Sequence, residues 1–130
     1  MHISVNILKM TYLGSWEEAE SWLQLYPGSK IGLTGAVTDS KMKSVHEVAK
    51  LVPLDRLLLE TDAPYFLPAK LAKSTSYPYR FSQPGHIVHV AAQVAALRNI
   101  SIDEVLEANM KNIAEVYGIA MKVSKESNKK

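Results

Sequence analysis

Residues 56–68 read Arg-Leu-Leu-Leu-Glu-Thr-Asp-Ala-Pro-Tyr-Phe-Leu-Pro, an apolar run that stops abruptly at acids and prolines. Leu57, Leu58 and Leu59 are consecutive, so their side chains must project to both faces of a strand. Such a strand is stable only where both faces are covered, as in a parallel sheet under helices. Pro64 has no N–H and pushes Ala63 towards extended geometry, so the ladder ends before it. Asp62 is thereby left at the carboxyl end of the strand, the end where α/β folds assemble their sites.

The rest of the chain is punctuated as strand and helix units. Ile3, Val5 and Ile7 alternate and Leu8 follows, which predicts a strand ending near Met10 or Leu13, before Gly14. Ser15 precedes Glu18 by three residues, a capping-box spacing, and Ala19, Trp22, Leu23 and Tyr26 form one helical face up to Pro27-Gly28. Residues 30–38 (KIGLTGAVT) read as a second strand, with Gly32 and Gly35 allowing close backbone approach. Ser44 and Glu47 repeat the capping spacing before the stripe Val45, Val48, Ala49 and Val52, which Pro53 ends. Residues 70–85 show no periodicity and hold Tyr77, Tyr79 and Phe81, a loop long enough to be functional or disordered. A helix then starts near Pro84 or Gly85 with Ile87, Val90, Ala91 and Val94 on one face. Ser101 and Glu104 cap the last helix, whose Ile102, Val105, Leu106, Ile113, Val116 and Tyr117 are expected to face inward until Gly118. Residues 122–130 read as a disordered basic tail. The fold class is α/β, with three parallel strands and flanking helices. Such a sheet has two unprotected edges and no fourth strand to cover them.

Composition narrows the function. A chain of 130 residues that is 47% hydrophobic fits one domain with a core and is too short for two ordinary ones. Its 15 basic and 13 acidic residues nearly cancel, so nucleic-acid binding does not follow from net charge. The absence of cysteine excludes disulfides and thiolate metal sites. No apolar run approaches the roughly 20 residues of a membrane span, and the start lacks a signal-peptide pattern. A soluble intracellular chain, cytoplasmic or nuclear, is expected.

The run LLLETDAPYFLP, preceded by LVPLDR and followed after the loop by a helix and by Asn112-Ile113-Ala114-Glu115-Val116-Tyr117-Gly118, resembles the C-terminal part of the TatD family of metal-dependent deoxyribonucleases. Gly14-Ser15-Trp16-Glu17-Glu18-Ala19 is similar to that family's GSxEEA helix start, and the APYFLP variant is similar to animal TatD-related paralogues. The resemblance runs from about residue 10 to 120. It implies the C-terminal half of a TIM-type (β/α)8 barrel of about 250 residues, here as residues 1–121, a fragment or truncated isoform of a phosphodiester-hydrolysing DNase. Divalent ions (Mg, Mn or Zn) and DNA are the implied cofactor and substrate. Of the family's metal ligands only the aspartate of the ETD motif is clearly present, as Asp62, which the resemblance makes both metal ligand and catalytic residue. Aligning Tyr12-x-Gly14 with the family's F-x-G places Met10 where the family has histidine, and a thioether ligates hard cations poorly. Ser82-Gln83-Pro84 also departs from the family pattern. Little or no metal-dependent activity is therefore expected of the chain alone. The alternative is a non-catalytic interaction protein that forms a homo-oligomer, or pairs with an N-terminal half, through its open sheet edges.

Other residues have readings of their own. Glu60, two residues before Asp62, is expected to make a structural hydrogen bond or salt bridge. His86 and His89 stand at i, i+3, a spacing that can hold a metal, but without a neighbouring carboxylate they read as partly exposed helix histidines. His2 and His46 are weaker candidates. Tyr65, Phe66, Tyr77, Tyr79 and Phe81, interleaved with Lys70, Lys73 and Arg80, form either a substrate loop that stacks bases and meets phosphates or a lid packed on the barrel mouth.

Overall fold

The computed structural model describes residues 7–119. The expected alternation at Ile3 and Val5, His2 and the basic tail lie outside the described residues. The elements are β1 (Leu8–Lys9), α1 (Trp16–Leu25), β2 (Lys30–Leu33), α2 (Lys43–Leu51), β3 (Leu57–Leu59), α3 (Ala69–Ala72), α4 (Ile87–Arg98) and α5 (Ile102–Tyr117), with 3-10 turns at Gly35–Thr38, Leu54–Arg56 and Pro84–His86. The sheet is parallel in the order β1-β2-β3, and Ile31, Gly32 and Leu33 stand opposite Leu57, Leu58 and Leu59.

All three leucines of β3 are buried, as the apolar run requires. Leu57 and Leu59 join Ile31 and Leu33 in the core beneath the helices, with Val45, Val48, Ala49, Val90, Ala91 and Val94. By alternation Leu58 projects to the opposite face, in register with Gly32. Ser15 caps α1, its Oγ accepting the Glu18 N–H, and Ser101 caps α5 by accepting from Glu104.

Several expectations change in the structure. β2 stops at Leu33 rather than Thr38, because the Thr34 hydroxyl accepts the Ala36 N–H and turns residues 35–38 into a 3-10 turn. α2 starts at Lys43, behind Met42, with no side-chain cap. Asp39 Oδ1 accepts the Lys41 N–H and the Asp39 carbonyl accepts that of Met42, so the chain is already turning before Ser44. The stretch read as structureless begins with α3, whose Ala69 N–H is held by Thr38 Oγ1 at 2.9 Å. On α5 the buried residues are Val105, Asn109 and Asn112, whereas Ile102 and Tyr117 are exposed.

The asparagines face the outer edge of β3. Asn109 Oδ1 accepts the Leu59 N–H at 2.9 Å, and Asn112 Nδ2 donates to the Leu57 carbonyl at 2.6 Å and to the Leu54 carbonyl at 2.9 Å. Backbone groups that would otherwise template another strand are thus taken up by side chains. The expectation of an unprotected edge is therefore corrected at β3. At the amino ends of the strands, the buried Lys30 ammonium donates to the Asp55 carbonyl and pairs with Glu115 at 2.9 Å. There Arg56 also donates to the carbonyls of Leu23, Tyr26 and Ser29. That end is a clamp, and the chemistry must be sought at the other. No helix among the described residues is long and apolar enough to cross a membrane.

Candidate active site at the carboxyl ends of the strands

Three chain segments meet beyond the carboxyl ends. Glu60 continues the outward face of Leu58, and on the neighbouring strand that face carries Gly32, where any Cβ would collide with the Glu60 carboxylate. The glycine leaves the space in which that carboxylate accepts the Thr11 N–H at 2.8 Å, just past the end of β1. Glu60 therefore joins β3 to β1 across β2. Its role is the structural hydrogen bond expected of it. Burial pushes its pKa up, the Thr11 bond opposes this, and the negative charge of Asp62 pushes it up further.

Thr11 carries φ +47° and Phe66 φ +53°. Both lie at this end of the sheet, and a β-branched residue in the left-handed region is held there against strain of about 1–3 kcal/mol. Thr11 is fixed by the Glu60 bond and by the next residue, whose N–H reaches the Gly32 carbonyl at 2.9 Å. Phe66 is fixed by packing, its carbonyl lying where a side chain on Gly35 would be. Gly32 and Gly35 thus serve the close approach that the sequence indicated.

Asp62 lies partly exposed beyond β3, in a turn in which its carbonyl accepts the Tyr65 N–H at 2.7 Å. Met10 follows β1 directly and is 65% exposed. The Tyr12-x-Gly14 unit is structural: the buried Tyr12 hydroxyl donates to the Ser15 carbonyl at 2.6 Å, and a Cβ on Gly14 would lie 2.6 Å from that hydroxyl. Among the described residues no three His, Asp or Glu side chains are grouped so as to hold a metal ion. Asp62 suits one oxygen position around a hard divalent cation. Glu60 Oε2 is held by the Thr11 N–H, and Met10 offers only a thioether.

His86 Nδ1 accepts the Gln83 N–H at 3.1 Å, and its ring meets that of His89 at 5.9 Å. Burial, then His86, then Lys70 lower the His89 pKa. His46 Nε2 bonds the Val37 carbonyl at 2.8 Å. Of the expected substrate loop, Phe66 lines one cavity with Gly35, Thr38, Asp39 and Lys73, while Arg80 lines a second with Tyr77 and Tyr79. Leu67 and Ala72 border both, whereas Tyr65 is exposed and lines neither. Sequence reasoning missed Thr11 and Thr38. Their partners Glu60 and Ala69 are 49 and 31 residues away, and nothing local to either threonine points to them.

The Glu60 geometry has a measurable consequence. Glu60→Gln keeps an acceptor for Thr11 and removes a partly buried charge facing Asp62, so at pH 7 it is expected to melt at or above wild type. Glu60→Ala leaves the Thr11 N–H without its acceptor and should lose about 1 kcal/mol. Thermal melts of both variants check this, and a Gln variant weaker than the Ala variant would refute it.

Comparison with known proteins gives a consistent answer. The family model described as TatD related DNase matches residues 3–118. Over 109 residues the chain is 36% identical to the "3'-5' ssDNA/RNA exonuclease TatD" of Erwinia amylovora, covering 83% of this chain and 40% of that protein. Over 108 residues it is 30% identical to the human "3'-5' RNA nuclease TATDN2", covering 83% of this chain and 14% of that protein. The crystal structure of YJJV, a TatD homologue from Escherichia coli, superposes with a TM-score of 0.71 at 28% identity, covering 87% of this chain and 40% of that one. The chain thus spans well under half the length of the relatives it matches.

Proposed function

This chain belongs to the TatD-related DNase family, and from that premise we propose that it carries the Asp62 corner of a metal-dependent site hydrolysing phosphodiester bonds in nucleic acid. The observation that carries the reading is the placement of Asp62. It lies partly exposed beyond the carboxyl end of a fully buried parallel strand, at the end of the sheet that also holds two strained backbone positions, in a fold shared with TatD homologues. The remaining ligands would come from a segment other than residues 7–119, as the family's TIM-barrel architecture allows.

In such a site the divalent cation supplies polarisation of the phosphoryl oxygen and acidification of bound water. Asp62 would hold one coordination position and accept a proton from the attacking water. Glu60 would position, its Oε2 being held by the Thr11 N–H. Tyr65, Phe66 and Arg80 border the approach as substrate-loop residues.

Among the described residues the outer edge of β1 is unpaired, which favours one addition to this reading. β1 pairs with β2 alone among the described strands, whereas β3's far edge is occupied by Asn109 and Asn112. Pairing with a completing segment or with a second copy of the chain would therefore use β1.

Titration calorimetry of the chain alone with Mg²⁺, Mn²⁺ and Zn²⁺ should show no saturation below about millimolar, and a plasmid-nicking assay should show little metal-dependent cleavage. Tight binding that survives Asp62→Ala would overturn the assignment of the site.

A further inference from the structure

The charge of this chain is unevenly distributed. No acidic residue occurs between Asp62 and Asp103, whereas that segment holds Lys70 on α3 and Lys73 and Arg80 in the loop that follows. The same loop exposes aromatic rings, Tyr79 at 51% and Phe81 at 43%. A basic segment with exposed rings complements a polyanion that also carries flat apolar groups.

The rings form a connected row. Phe81 and Tyr79 have centroids 5.3 Å apart, Tyr79 and Tyr77 5.7 Å, and Tyr77 and His86 5.3 Å, and His86 leads on to His89. The row is anchored at both ends. The buried Ser82 donates its N–H to the Pro64 carbonyl at 2.8 Å, which ties the loop to the turn after Asp62. At the other end His89 belongs to α4, and the Gln83–His86 capping box fixes the entry to that helix. Within the loop, the Tyr77 hydroxyl donates to the Phe81 carbonyl at 3.1 Å. Beside the row, Leu67, Leu71, Tyr77, Tyr79 and Arg80 line an open cavity of about 410 Å³. Arg80 is the cation in that lining.

We propose that Tyr79, Phe81 and Arg80 form a base-stacking track for single-stranded nucleic acid that binds without any metal. The proposal takes its ligand class from the function proposed above and adds the residues that hold the strand. Exposed rings can stack only on bases whose faces are free, which a duplex hides and a single strand offers. Arg80 is placed to meet phosphate, and no carboxylate lines the cavity to oppose it. The anchor to Pro64 brings the track up to the turn that begins at Asp62.

The test is fluorescence anisotropy with the full chain in EDTA and a fluorescein-labelled oligothymidine of about 12 nucleotides. Saturable binding is expected. Tyr79→Ala and Phe81→Ala should each weaken it roughly tenfold, and Tyr79→Trp should retain it. Arg80→Gln should lower the salt slope by about 1. An abasic oligomer of equal length should bind wild type roughly tenfold more weakly than oligothymidine and be indifferent to Tyr79→Ala. Equal binding of the two oligomers to wild type overturns the proposal even if a variant fails to fold. Wild-type affinity in the folded ring variants also overturns it, as does binding to phosphatidylserine vesicles with none to oligothymidine. Because EDTA removes hydrolysis from the readout, the track can stand where the Asp62 site fails. Conversely, a reconstituted enzyme indifferent to the ring variants would sink the track alone.

Discussion

Asp62→Asn, introduced into a barrel completed by a co-expressed segment that supplies the remaining ligands, should cut nucleic-acid hydrolysis on the order of 10³-fold, the scale of losing one charge-stabilising group from an active site. Asparagine keeps the shape of the side chain and leaves the main-chain bond from Tyr65 to residue 62 in place. It removes the negative charge and the proton acceptor. Folding should stay near wild type, since the Asp62 charge is one of the influences that raise the Glu60 pKa and its removal relieves that repulsion. Met10→His should act in the opposite direction, restoring an imidazole directly after β1 and raising metal affinity or rate. Steady-state hydrolysis and a urea melt of the same samples check both. A variant that unfolds while its folded fraction keeps full specific activity would make Asp62 a turn residue and end the catalytic reading.

The largest stability effect is expected at Asn112. Its amide donates to two main-chain carbonyls, Leu54 and Leu57, from a position that is 3% exposed. Asn112→Leu has nearly the same size and leaves both carbonyls without a partner, at about 1–3 kcal/mol for each buried unsatisfied group. A loss of about 2–6 kcal/mol is a large share of the roughly 5–15 kcal/mol that holds a domain together. The neighbouring position supplies the contrast. Asn109 acts as an acceptor for the Leu59 N–H, so Asn109→Asp keeps its bond, whereas Asn112→Asp sets a carboxylate against two carbonyl oxygens. Urea unfolding should rank Asn109→Asp as mild and Asn112→Asp as severe. Equal midpoints for the two would show that α5 does not latch the edge of β3. The severe variants should also aggregate, because they release a strand edge that can template pairing with another chain.

Local physics made much of this protein legible. The caps Ser15 and Ser101, the apolar stripes of α1, α2 and α4, the burial of Leu57–Leu59 and the stop before Pro64 depend on residues within a few positions of each other, so the sequence by itself determined them. The same holds for Asp62 at the strand end and for the glycines at 32 and 35. Tertiary structure decided what depends on distant partners. Glu60 became the brace for Thr11, Thr38 took hold of α3, and Asn109 and Asn112 turned an apparently apolar helix face into a latch. Even the start of α2 was decided outside the expected cap, by the turn at Asp39. The physical reason is one: a side chain that satisfies backbone groups 30 to 60 residues away leaves no periodicity in its own neighbourhood, and its role appears only when the fold brings the two together.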